Sequence, residues 1–223
     1  MLDDFYKAVQ DGRWLWYLEG LGNTLLISLG AIAIGCVLGV IISLIKYTNK
    51  KYGNLKILSK VCDVYLTVFR GTPIYVQLLI MYLIVLVYTP DLWVAILTFG
   101  INSGAYVAEI IRGGLESIDD GQLEAGNSLG LNKVQVLVHI VLPQAIRRSL
   151  PPFCNEFIAL IKETSIVGTI GVIDLTKVAE NIIARTYEPF APYIIIALTY
   201  LVVVMILTYF LKLLERRLAK SDR

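Results

Sequence analysis

Charge is what this sequence lacks over its longest stretches. No Asp, Glu, Lys or Arg occurs at residues 21–45, 71–90, 92–108 or 189–211. A bilayer core about 30 Å thick takes roughly 20 helical residues to cross. The four uncharged runs therefore predict membrane-spanning helices and exclude a soluble core of strands. Histidine is also nearly absent, with His139 the single copy, and there are three cysteines, Cys36, Cys62 and Cys154. Without CxxC or any metal-ligand spacing, these read as buried apolar thiols, not as a zinc site or a disulfide scaffold. No G-x-x-x-x-G-K-[ST] occurs, so the chain does not itself cradle ATP phosphates. Internal repeats and low-complexity tracts are missing as well, which predicts a single membrane domain over residues 1–223.

The charge that is present is placed unevenly. A fifth apolar stretch, residues 146–168, is interrupted by Glu156, Lys162 and Glu163. With five crossings, fourteen basic residues fall on one side and four on the other. The rich side holds the lysines of "KYTNKKYGNLKILSK", the tail "KLLERRLAKSDR", and Arg112, Lys133, Arg147 and Arg148; the poor side holds Lys7, Arg13, Lys177 and Arg185. Basic residues stay in the cytoplasm, so the pattern predicts an outer N-terminus, a cytoplasmic C-terminus and a multi-pass protein of the inner (cytoplasmic) membrane. The net charge of +2 is this bias, and gives a nucleic-acid role no support. Residues 1–20 read as an outer amphipathic segment anchored by Trp14, Trp16 and Tyr17. They do not read as a signal peptide, because the following apolar run is too long and lacks a small-residue cleavage site. Gly35 and Gly39 form a G-x-x-x-G, a weak sign of close helix packing.

Between two apolar stretches lies "EAGNSLGLNKVQVLVHIVLPQA", within a predicted cytoplasmic segment at residues 119–145. Residues 121–129 suffice for two helical turns, with Gly130 as the stop, Asn132 as the next N-cap, and Pro143 as a break or kink. The spacing resembles the cytoplasmic signature of ATP-binding-cassette (ABC) importer permeases: E-A-A, three residues, G, nine residues, I, one residue, L-P. Glu124, Ala125, Gly130, Ile140, Leu142 and Pro143 are in register, and Gly126 stands at the third small position. "NTLLISL", "FRGTPIYVQ", "SGAYVAEIIRGGLESI" and "IKETS" extend the likeness to the polar amino acid subfamily over nearly the whole chain.

The resemblance implies an all-α, five-helix permease core, paired with a second permease subunit that is either identical or a paralogue. It also implies an extracytoplasmic amino-acid-binding protein and two ATPase subunits, with ATP as a cofactor of the ATPase and none on this chain. Glu124, Ala125, Gly126 and Gly130 would belong to a coupling helix docked on the ATPase. The chain would then be a transport subunit, not an enzyme. "GNSLG" does satisfy the hydrolase pattern G-x-S-x-G, but that motif needs a strand before it and a helix after it. Ser128 and His139 sit instead in a helical hairpin. A stand-alone channel or secondary transporter remains the alternative.

The interrupted span is where a ligand is expected. A charge at the bilayer centre costs about 2.5–3.5 kcal/mol on insertion scales, so this helix should not face lipid all round. Glu156 and Glu163 are two turns apart on one stripe, expected to face the bundle interior as an anionic lining for a cationic ligand. Structural ion pairs, with Lys162 for instance, are the other reading. Glu163, Thr164 and Ser165 belong to a K-x-T-S element that the resemblance places beside the pathway. In "RGTP", Gly71 and an N-capping Thr72, followed by Pro73, would start a half-helix whose positive end receives the substrate carboxylate. Gln77, Asn102 and Ser103 are further polar candidates, equally suited to joining helices. The function expected is uptake of polar, basic amino acids.

Overall fold

The computed structural model describes residues 2–221, and all regular structure among them is helical. Arg223, counted above with the basic tail, lies outside the described residues, as do the side chains of Lys133 and Lys220.

The scaffold is a pair of long helices, α2 (Arg13–Tyr52) and α5 (Asp91–Glu116), preceded by the short α1 (Leu2–Val9). Glycines let them touch along their length. A β-carbon on Gly30 or Gly39 of α2 would come within 2.5–2.9 Å of Ile96 or Val107. On α5, one at Gly100 or Gly104 would come within 2.7–2.9 Å of Ile34 or Leu38. The weak G-x-x-x-G at Gly35 and Gly39 is thus half of an interface. Gly100 and Gly104, a second G-x-x-x-G, are the half that sequence reading passed over. Forcing a side chain into such a seam costs about 1–3 kcal/mol or more. Gly39→Leu should therefore lower the melting temperature in detergent clearly, whereas Gly22→Ala, with nothing within 4 Å of its new β-carbon, should leave it nearly unchanged.

The uncharged run at residues 71–90 does not form one uninterrupted helix. Helix α3 (Lys56–Gly71) ends there, and α4 (Ile74–Ile80) departs at 107°, running on through a π turn, Met81–Val85. Pro73 explains the break: it has no N–H to donate and disfavours helical backbone at the preceding residue. Thr72 is accordingly extended, with φ −120° and ψ 147°. The half-helix begins as expected but one residue later, with Pro73 and not Thr72 at the N-cap.

After α6 (Asp120–Ser128), one helical run continues through α7 (Lys133–Val136), a π turn at Leu137–Val141 and α8 (Leu142–Glu163). Pro143 causes no break. The widened π turn precedes it, where the ring would otherwise crowd an earlier carbonyl. A 3₁₀ stretch, Thr164–Ile170, leads to α9 (Leu175–Thr186), and α10 (Phe190–Ser221) closes the chain. The side chain of Asp174 caps α9, accepting from the Lys177 N–H at 2.9 Å. Its burial pushes that carboxyl above the ordinary range, against the opposing pull of these backbone donors. Buried Leu175, Val178, Ala179 and Ile182 pack α9 against Tyr17 and Ile196.

By length and apolarity α2, α5 and α10 qualify as membrane spans, and the bent pair of α3 with α4 makes a fourth. The charges of α8 keep it off that tally.

Candidate functional site

The signature segment folds largely as its residues predict. Asp119 caps α6 by accepting from the Gly121 N–H at 2.8 Å. Gly130 ends that helical turn at φ +80°, a left-handed conformation that penalises any β-carbon. Asn132 Oδ1 then accepts from the Val134 and Gln135 N–H groups at 3.1 and 3.0 Å, while Gln135 Oε1 accepts from the Asn132 N–H at 2.9 Å. This reciprocal capping starts α7. Gly126 is buried, and a β-carbon there would lie 2.8 Å from Ile140 and 3.0 Å from Val136. The third small position of the signature is therefore a packing requirement. Glu124, Ala125 and Leu129 remain exposed, leaving one side of α6 uncovered. The hydrolase pattern has no catalytic geometry: Ser128 donates to the Glu124 carbonyl, and the His139 ring bonds the Gln135 carbonyl.

At the α3–α4 break, Thr72, Gln77 and Asn102 come together. Gln77 Nε2 donates to the Phe69 and Thr72 carbonyls, both at 3.0 Å, and to Thr72 Oγ1 at 2.8 Å. Asn102 Nδ2 donates to the Phe69 carbonyl at 2.9 Å and to Gln77 Oε1 at 3.0 Å. The Thr72 hydroxyl in turn donates to the Val68 carbonyl. Helix C-termini leave carbonyls without partners, and these side chains supply them, fixing the bend against α5. Gln77 and Asn102 are buried and engaged, whereas Gly71 is exposed.

Ser103, from α5, meets α8: its hydroxyl donates to Glu156 Oε1 at 2.8 Å. Glu156 is half-buried. One stripe facing inward is not what α8 presents, however. Leu160 is fully buried, but Glu163 and Lys162 are exposed on the single chain. Among the described residues neither Lys162 nor Glu163 makes a salt bridge or hydrogen bond, so the alternative reading of ion pairs within the chain finds no such contact at these two residues. Thr164 is buried with its hydroxyl donating to the Ile161 carbonyl, and Ser165 is partly exposed. Sequence reading also overlooked Pro151 and Pro152 inside α8, next to this polar stretch.

A helical bundle with a glycine seam, a sharply broken span and a charged interrupted helix defines a multi-pass membrane protein. The chain belongs to the family described as binding-protein-dependent transport system inner membrane component, whose model matches residues 35–220. It is 39% identical over 209 residues to the arginine transport system permease protein ArtQ of Bacillus subtilis, covering 92% of this chain and 93% of that one. It is 38% identical over 206 residues to the glutamine transport system permease protein GlnP of Escherichia coli K12, covering 90% and 92% respectively. Among solved structures, an amino acid ABC transporter crystallised with histidines shares 40% identity at a TM-score of 0.85, covering 91% of this chain and 94% of that one. The MetNI methionine ABC transporter shares the fold, with a TM-score of 0.75 at 18% identity over 96% of this chain and 99% of that one. The protein is thus a permease subunit of an amino-acid ABC importer, a multi-pass inner-membrane transport component, and its relatives are likewise transport components. A stand-alone channel or secondary transporter is not favoured.

Proposed function

We propose that the protein imports basic amino acids, crossing the membrane five times with an outer N-terminus and a cytoplasmic C-terminus. The fifth crossing is α8, whose charges face a pathway shared with a second permease subunit. Helix α6 is the coupling helix: its uncovered side, with Glu124, Ala125 and Leu129, docks on an ABC ATPase pair that binds ATP. Gly126 and Gly130 shape it. An extracytoplasmic binding protein delivers the substrate to the face formed by α9 and the N-terminal segment.

The observation that carries the substrate class is Glu163. An exposed carboxylate on a membrane helix, with no salt bridge among the described residues and only the neighbouring Lys162 as a nearby charge, suits a cation from outside that chain. Glu156, held by Ser103, adds negative potential two turns away. The start of α4 near Gly71 and Thr72 supplies donors for the substrate carboxylate, with the engaged Gln77 and Asn102 holding it in place, and Thr164 and Ser165 continue the α8 lining. The names of the relatives divide between arginine and glutamine, and the Glu163 charge favours the former for this chain.

Orientation is tested by single cysteines in a chain freed of Cys36, Cys62 and Cys154. A cysteine at Glu180 in α9 should react with an impermeant maleimide added to intact cells. One at Asn127 in α6 should react only in inside-out vesicles. The reverse pattern contradicts the orientation.

A further inference from the structure

The C-terminal part of α2, α3 and the last turns of α5 meet away from Glu156 and Glu163, at a junction that reaches Gly71 at the α3–α4 break. A cavity of about 670 Å³ opens there. Four cations line it, Lys46, Lys50, Arg70 and Arg112, against three carboxylates, Asp63, Glu109 and Glu116. The carboxylates are all engaged. Asp63 pairs with Lys46, and Glu116 takes Lys50 at 2.8 Å and Arg112 at 2.5 Å. Glu109 holds Arg112 through two hydrogen bonds, at 3.1 and 2.7 Å. Arg70 is left short of carboxylate partners: it lies over the Tyr106 ring, 5.7 Å from its centroid, and has one 3.4 Å contact to the Glu109 oxygen that already serves Arg112. Its side chain is 42% exposed, and that of Lys50 is 72% exposed.

More positive charge stands close by. Lys51, Lys56 and Lys60 are exposed on the adjoining turns, and among the described residues none has a carboxylate within 4.0 Å. Asn49 also lines the cavity; its Oδ1 accepts from the Leu55 N–H, and its amide nitrogen has no acceptor among the described residues. The local surplus is cationic, and its donors suit an anion.

The other side of α3 says which anion. Ile57, Val61, Val64 and Val68 form an exposed apolar stripe with i, i+4, i+7 and i+11 spacing. Ser59, Asp63, Thr67 and Arg70 point the other way, into the cavity. A helix so divided offers a headgroup site on one side and a bed for acyl chains on the other. We propose that this cavity binds the phosphate of an anionic glycerophospholipid of the adjoining leaflet, with Arg70, Lys50 and Asn49 as donors. Its assignment to the cytoplasmic leaflet rests on the orientation proposed above, whereas the lipid site itself does not.

The test is native mass spectrometry on the full-length chain, delipidated in detergent and titrated with phosphatidylglycerol, phosphatidylcholine or inorganic phosphate. It needs neither ATPase nor transport, so its failure is separable from failure of the functional reading. Phosphatidylglycerol should be retained in clear excess over phosphatidylcholine. Lys50→Gln and Arg70→Gln should each reduce that retention about fivefold, the order of one lysine or arginine near a charged surface. Arg70→Lys should recover part of it, and Lys177→Gln, on α9, should change nothing. Lys50→Gln guards against misfolding, since Lys50 is largely exposed. Equal retention of the two lipids, or undiminished retention in Lys50→Gln, would overturn the proposal. Displacement of phosphatidylglycerol by millimolar inorganic phosphate would assign the site to a free anion and would also overturn the lipid source.

Discussion

Glu163→Gln should lower arginine uptake relative to glutamine uptake by roughly 10- to 150-fold in vesicles containing the whole importer and a receptor accepting both. The figure is the loss of one charge-assisted hydrogen bond, about 1.5–3 kcal/mol in a partly dry cavity. Glutamine preserves the shape of the glutamate side chain and removes its charge alone. A neutral substrate never used that charge, so its uptake should hold or rise. The competing explanation, an ion pair holding the fold, lacks a salt bridge to Glu163 within 4.0 Å among the described residues. Were a pair formed across the subunit interface, the substitution would depress every substrate alike. The measured ratio separates the two, and an unchanged ratio assigns Glu163 to structure.

The second large effect concerns energy coupling. Glu124→Lys reverses an exposed charge on α6 without touching its packing. Gly130→Leu places a bulky residue at φ +80°, where a left-handed backbone costs about 1–2 kcal/mol for most side chains. Both should reach the membrane yet lose ATPase retention by about 30-fold, the loss expected when a docking residue worth some 2 kcal/mol is removed. Gly130→Asn should be milder, because asparagine visits that conformation more readily. Co-purification of tagged chain with ATPase is the readout. Normal retention together with normal transport in Glu124→Lys and Gly130→Leu would remove the coupling role from α6.

The sequence exposed some of this plainly and hid the rest for physical reasons. Four long runs without charge are legible because lipid tolerates so little else, and three of them fall on α2, α5 and α10 or their interiors. The fourth runs through the break at Pro73, which hydropathy alone cannot see since every residue from 71 to 90 is uncharged. Proline chemistry announced a half-helix there but misplaced its cap by one residue. Gly130 and Asn132 were readable because their roles are local, a positive φ and a cap. Gly100 and Gly104 were not, because their importance depends on Ile34 and Leu38, some 66 residues away in the chain. The candidate site behaves likewise. Seven-residue spacing correctly put Glu156 and Glu163 on one helix, but whether each faces protein or open space depends on the neighbours. Ser103 turns Glu156 inward, and Leu160 takes the buried place between the two.

The central claim is ATP-driven import of basic amino acids through this permease. It is tested most directly by uptake of labelled arginine into vesicles holding the chain with its ATPase, with ATP on the ATPase side and binding protein on the other. Accumulation should require ATP, ATPase and binding protein together, and unlabelled lysine or histidine should compete far better than glutamine. Arginine accumulation by the chain alone, or glutamine competing as well as lysine, would contradict the account.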